Sequence, residues 1–292
     1  MNKDLLTVVI PHHNRVTLLL RLLHTIPDYV SVIVVDDGSE SLLAIEEVTQ
    51  FFSNVSLMSY PTSLGAGVAR QLGLAHVTTP YVLFADSDDV FMPNAFDIIL
   101  SYCEENFDVL VFKPTSLDLE GQHASRHLSH HQLFEDLNQG IISHFDACFL
   151  FKEVWSKVYR TSSVESFKFS KTFVGNDLLF SAQVAIQLHM TTHFSDQCIY
   201  AISDHRDAIS YEHTKQRYVD RLVAIEEYFQ YSSEHLDELT FKRLIKSDGV
   251  MIVWPLIKFF DIKLTLKTYA MYKKYNLKIN MLRLIKRGLK IK

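Results

Sequence analysis

An α/β fold, a doubly wound sheet flanked by helices, is predicted by three observations. Short β-branched runs alternate with longer amphipathic stretches through the first 115 residues. Acidic or glycine-bearing segments follow four of those runs, at the carboxyl ends of strands where open α/β sheets bind ligands. The chain of 292 residues, 48% hydrophobic and 22% charged, has an ordinary globular composition and enough length for a sizeable core.

The elements follow in order. Thr7-Val8-Val9-Ile10 is a predicted strand, residues 16–24 a helix and Val32-Ile33-Val34-Val35 a second strand. Residues 41–52 form a helix opened by Ser39 or Ser41, and residues 55–58 a third strand. Residues 66–76 are helical, Tyr81-Val82-Leu83-Phe84 is a strand, residues 93–105 a helix with Pro93 in its first turn, and residues 109–112 a strand. This makes residues 1–115 one doubly wound unit. Residues 116–150 are polar and carry His123, His127, His130 and His131. That composition reads as loop and irregular structure, and a metal site is disfavoured because no carboxylate or cysteine completes a set with the histidines. Residues 116–215 form a second half that resumes with an amphipathic helix over 177–188, and residues 216–292 form a helical C-terminal extension.

The net charge of −5 conceals an asymmetry: residues 262–292 hold ten Lys or Arg and no acid, and the remainder sets 19 basic against 34 acidic residues. The basic residues interleave with Leu264, Leu266, Tyr269, Leu277, Leu282, Ile285 and Leu289. That pattern suits peripheral contact with an anionic membrane, the alternative being a packed helix pair. The acidic body disfavours nucleic acid as a partner. Cys103, Cys148 and Cys198 form no CxxC pair, the opening Met1-Asn2-Lys3-Asp4 is not leader-like, and the apolar stretch over 251–260 is too short to span a bilayer. The expected location is cytoplasmic, peripheral on the inner face of the cell membrane.

The chemistry is expected at the strand ends. Asp86 and Asp88, spaced i, i+2 after a buried strand, project to one side and supply oxygens for Mn²⁺ or Mg²⁺ bridging a diphosphate. A carboxylate in Asp36-Asp37-Gly38-Ser39 is placed to accept the imide N–H of uracil, or to cap a turn. The Gly65-Ala66-Gly67 stretch follows the third strand rather than the first, and Arg70 stands where a dinucleotide fingerprint needs glycine, so nicotinamide binding is disfavoured. Small residues there let backbone approach a ligand, and Arg70 can reach a phosphate or the base.

Together these pieces resemble glycosyltransferase family 2. They are TVVIPHHNR, VIVVDDGSE, LGAGVARQLGLAHVTTPYVLFADSDDVF, VWSKVYR at 154–160 and GNDLLF at 175–180, in family order and spacing over roughly residues 5–210. The resemblance implies the GT-A fold and inverting sugar transfer from a nucleotide-sugar donor, UDP-linked, to a glycan or lipid-linked acceptor in bacterial surface-polysaccharide synthesis. It places Pro11 and Asp37 on the nucleobase, Arg70 near base or phosphate, and Asp86 by the ribose. Asp88 becomes the main metal ligand and Asp177 the general base. His13 stands where an aromatic residue is common, Gln71 where asparagine is frequent, and Asn176 where glutamate is usual. Trp155 and Lys157 fall in the segment that walls the acceptor site, and Arg206, with His205, in one that closes near the diphosphate. Two other classes remain: a non-catalytic nucleotide- or carbohydrate-binding module of the same fold, and a sugar nucleotidyltransferase. The latter is disfavoured because Pro11-His12-His13-Asn14 occupies the place of its glycine-rich basic loop.

Overall fold

A computed structural model describes residues 5–103, 105–204, 214–245 and 250–277. The first half follows the predicted alternation: β1 (Leu6–His12), α1 (Val16–Leu23), β2 (Ser31–Asp37), α2 (Leu42–Thr49), β3 (Val55–Tyr60), α3 (Ala66–Ala75) and β4 (Tyr81–Phe84). All seven residues of β1 and all four of β4 are buried, as in strands covered by helices on both faces. The short β5 (Val90–Phe91) leads into α4 (Ala95–Tyr102), then β6 (Val109–Phe112) and β7 (Thr115–Leu117).

The second half contributes α5 (Leu128–Asn138), α6 (His144–Leu150), β8 (Lys157–Arg160), α7 (Thr161–Val164), α8 (Leu178–Leu188), β9 (Thr192–Ser195) and β10 (Tyr200–Ser203). The C-terminal helices are α9 (Lys215–His235), α10 (Glu238–Leu244), α11 (Val250–Phe259) and α12 (Ile262–Lys274).

The main sheet runs β3-β2-β1-β4-β8-β6-β9, and a smaller one runs β5-β10-β7. Strands β1 to β4 pair in parallel, whereas β8 enters between β4 and β6 and is antiparallel to both. Residues 1–115 are therefore not a self-contained doubly wound unit: β6 reaches the sheet only through a strand of the second half. The expected loop over 116–150 is also corrected, since α5 and α6 lie within it. Its histidines serve the fold: His127 Nδ1 meets Ser116 Oγ at 2.7 Å, His131 Nε2 donates to the Pro114 carbonyl at 2.7 Å, and His130 pairs with Glu153 at 3.0 Å.

The sheet and its helices share one apolar core, and the C-terminal helices build a second with α6 and α8. Helix α8 serves both, with Phe180 and Val184 in the first and Ala182 and Ala185 in the second. The segment ahead of α8 is thereby held from two sides. Leu264, Met271, Tyr272 and Leu277 are buried in the second core, so the apolar residues of 262–277 do not form one outward face. Leu266 and Tyr269 remain outside. The rest of the basic tail, 278–292, lies outside the described residues.

Candidate active site

A cavity of about 490 Å³ opens where β1, β2 and β4 end, the size of a small-molecule site. Its lining includes Pro11, His12, His13, Asp37, Gly65 and Ala66 near the ends of β1 and β2, Arg70 and Asp86 to Asp89, and Trp155 with Phe173 to Asp177 from the second half. Of the residues singled out in the sequence, Pro11, His13, Asp37, Arg70, Asp86, Asp88 and Asp177 all line it. Arg206 and His205 lie outside the described residues.

Asp37 ends β2 and is buried. Its Oδ2 accepts from the Ser63 hydroxyl at 2.7 Å and Gly65 N–H at 2.8 Å, and its Oδ1 from Leu64 N–H at 2.7 Å. The carboxylate thus shapes the loop into α3, and Oδ1 keeps a lone pair for a further donor. His13 Nδ1 donates to the Asp37 carbonyl at 2.9 Å, and its Nε2 lies 3.2 Å from the Asn14 amide nitrogen. His12, passed over in the sequence, is 1% exposed, and neither ring nitrogen has a protein partner. Burial, opposed by Asp36 and helped by His13, lowers its pKa to about 4.

Arg70, 6% exposed, links the two halves of the chain. One guanidinium nitrogen donates to Asn176 Oδ1 at 2.7 Å and another to Asp86 Oδ1. Burial alone would lower its pKa, but Asp86 and Asp177 more than offset that and the net shift is upward. Asn176 gains a reason here: it accepts from Arg70 without adding a second buried carboxylate beside Asp177. The glycine stretch also finds a different use. A Cβ on Gly67 would lie 2.6 Å from the Ser170 carbonyl oxygen and 2.7 Å from Asn176 Cβ, so the close approach is by the 170–176 segment rather than by a ligand.

The acidic cluster divides sharply. Asp89 is 2% exposed, and its carboxyl accepts from the Tyr200 hydroxyl and the Ser203 N–H, both at 2.7 Å. Burial, with Asp88 and Asp86 nearby, raises its pKa well above the ordinary carboxylate range. The same Tyr200 hydroxyl accepts from Asp86 N–H at 2.9 Å, and its ring stacks on Trp155 with centroids 5.9 Å apart. Asp86 and Asp88 keep partly exposed carboxylates in the cavity; Arg15 lies 3.7 Å from Asp88, and the Asp88 carbonyl accepts from Arg21 at 2.7 Å. Among the described residues no three His, Cys, Asp or Glu converge as a metal-holding group.

Asp177 opens α8, yet its side chain makes no capping hydrogen bond. Burial raises its pKa to about 6, Arg70 opposes that shift, and Glu153 and Asp86 reinforce it. A carboxylate titrating there can take a proton near neutral pH. Lys157 points elsewhere: it is 3% exposed, and its ammonium donates to the Phe151 carbonyl at 2.6 Å and lies 4.3 Å from the Phe151 ring centroid. It is not among the cavity-lining residues.

The sequence profile described as "Glycosyl transferase family 2" matches residues 7–160, more than half of the chain. The chain belongs to this family. As a glycosyl transferase family 2 protein it resembles an "Uncharacterized glycosyltransferase" of Haemophilus influenzae, 28% identical over 120 residues that cover 39% of this chain and 40% of that one. It is also similar to a "Pre-mycofactocin glycosyltransferase" of Mycobacterium tuberculosis, 39% identical over 82 residues, 28% of this chain and 17% of that protein. The matches thus span less than half of these relatives' length. Among solved structures, S. aureus TarS 1-349 in complex with UDP-GlcNAc superposes with a TM-score of 0.65 at 19% identity, over 93% of this chain and 79% of that one. The same protein in complex with UDP gives 0.59 at 17% identity, over 92% and 91%. These likenesses agree with the GT-A-like fold.

The sequence reading missed four cavity-lining arginines besides His12: Arg15, Arg126, Arg217 and Arg221. Arg217 and Arg221 come from α9, inside the stretch expected to be only an extension. Their positions along the chain give no local pattern; the packing of α9 against α8 brings them in.

Proposed function

We propose that this protein transfers a sugar from a UDP-type nucleotide-sugar donor to a hydroxyl group of a glycan or lipid-linked acceptor, with inversion at the anomeric carbon. The observation that carries this reading is that Asp177, which makes no capping hydrogen bond and has its pKa near 6, lines the same cavity as Asp86 and Asp88. Pro11, His13 and Asp37 surround the nucleobase, Asp37 Oδ1 accepting an imide N–H. Arg70 and Asp86 meet the ribose and the adjoining phosphate. Asp177 takes the proton of the acceptor hydroxyl as that oxygen attacks, a role worth roughly 10²–10⁴-fold in rate. The pathway we assign is bacterial surface-polysaccharide synthesis.

Asp88, with the second oxygen of Asp86, fits Mn²⁺ or Mg²⁺ held jointly with donor phosphates, because two carboxylates leave most of the six oxygen positions to substrate and water. Such an ion would neutralise charge on the departing diphosphate. The purified full chain, incubated with Mn²⁺ and a panel of UDP-sugars, should release nucleotide with at least one donor, and Asp88→Ala should lose metal-dependent UDP binding. No release and no effect of Asp88→Ala would instead favour a non-catalytic module.

A membrane-facing edge is a further part of the proposal. No described helix is long and apolar enough to cross a bilayer. Yet Leu256, Ile257, Phe260, Ile262, Leu266 and Tyr269 are all exposed around the turn from α11 to α12, Phe260 at 87% and Ile262 at 65%, with exposed Lys258, Lys263 and Lys267 beside them. Apolar side chains flanked by lysines suit the interface of an anionic bilayer, which supports peripheral contact with the inner face of the cell membrane as part of this reading.

A further inference from the structure

We infer that Phe173, from the loop ahead of Asp177, stacks on the nucleobase of the donor. This inference rests on the donor reading above and adds to it a base-binding residue from the second half of the chain.

The segment leading to α8 carries three phenylalanines with different fates. Phe167 and Phe169 are buried in the main core, whereas Phe173 is 43% exposed and lines the cavity. Looseness of the loop does not explain this. Ser170, Thr172 and Asn176 around it are buried, Ser170 N–H donates to the Asn176 carbonyl at 2.9 Å, and the Thr172 hydroxyl donates to the Val174 carbonyl at 3.2 Å. Asn176 is tied in turn to Arg70. A well-anchored loop thus holds an aromatic ring out of the core and in a ligand-sized cavity, the usual lining of a small-molecule site.

The same loop adjoins the residue proposed to read the base. Gly65 N–H donates to Asp37 Oδ2 at 2.8 Å, and a Cβ on Gly65 would lie 2.9 Å from the Thr172 carbonyl oxygen and 3.5 Å from Phe173 Cα. Gly65, with φ at +96°, lets the second half come this close to the loop that Asp37 shapes. Phe173 therefore begins one residue away from the carboxylate that accepts the imide N–H. His13 adjoins Asp37 as well, through the bond from its Nδ1 to the Asp37 carbonyl, and lines the same cavity. A base that donates to Asp37 Oδ1 presents a flat π-face within reach of the Phe173 ring, and stacking covers apolar surface on both. A diphosphate offers the ring no such face.

The test is a binding titration of the full chain in Mg²⁺ with UDP and with inorganic pyrophosphate, which lacks the base. Phe173→Ala should weaken UDP binding at least about 5-fold and leave pyrophosphate binding within about twofold, and Phe173→Tyr should restore most of the UDP affinity. In Phe173→Trp, UDP should quench the added indole emission, taken as the difference from the wild-type chain with its Trp155 and Trp254, and pyrophosphate should not. The inference alone is overturned if Phe173→Ala binds UDP within twofold of the wild type, if it loses affinity for both probes equally, or if UDP leaves the added emission of Phe173→Trp unchanged. Unchanged UDP affinity with a raised KM for a lipid-linked acceptor would assign the ring to the acceptor instead. Failure of the wild-type chain to bind UDP is a different result: it overturns the donor reading itself, and this inference with it.

Discussion

At the residue scale, the buried His12 and the half-buried Asp177 titrate in opposite senses. His12 is neutral in the fold, with its pKa lowered to about 4 by burial against an ordinary 6.5, so the unfolded chain binds more protons between those values. Its contribution to stability is intact above pH 6.5 and falls as the pH drops toward 4. Asp177, raised to about 6, works the other way: its contribution is present at low pH and is lost as the pH rises through 6. Comparison with a His12 variant isolates the first. Between pH 7 and pH 5 the wild-type chain should lose about 2 kcal/mol more of its urea-unfolding free energy than His12→Val. Equal losses would mean that His12 gains a proton partner in the fold.

At the scale of elements, the strands β1, β2 and β4 were legible because each is a short, almost wholly buried run of apolar β-branched or aromatic residues, and the edge strand β3 because its Val55-Ser56-Leu57-Met58 still reads as one. Strand β8 was not. Lys157-Val158-Tyr159-Arg160 is four residues long with a charge at each end, and it becomes a strand because β4 and β6 offer it open edges on both sides. Helix α5 was hidden by a polar, His-rich composition, whose histidines bond Ser116, Pro114 and Glu153, and α6 by lying in the same stretch. The helical hairpin of α11 and α12 carries a testable consequence of its own. Its inner face is committed to the C-terminal core, so removing it would unfold its neighbours, whereas Phe260 and Ile262 touch mostly solvent. Replacing both with Ser should cut co-sedimentation with vesicles rich in anionic lipid at least about 10-fold, given roughly 1.5–3 kcal/mol per buried large apolar side chain. Unchanged co-sedimentation would remove this edge as the membrane contact.

Over the whole molecule, the site lies between two layers that the chain order keeps far apart. Arg70 joins Asp86 of the first half to Asn176 of the second, Tyr200 joins Asp86 to Asp89, and α9 adds Arg217 and Arg221 from beyond both. The strand-end acids and Asp177 could be found from the sequence because each sits in a local motif. The arginine wall and the capture of Asn176 by Arg70 could not, since only tertiary packing creates them. The central claim is that Asp177, held in this arrangement, removes the acceptor proton. It is tested most directly by the pH dependence of kcat/KM for transfer from the active UDP-sugar, in the wild type and in Asp177→Asn, with UDP affinity measured alongside. The wild-type profile should rise through a pKa of about 6, and the variant should lose that limb and about 10²–10⁴-fold in rate while binding UDP normally. A variant that keeps both the rate and the limb near pH 6 would contradict the account.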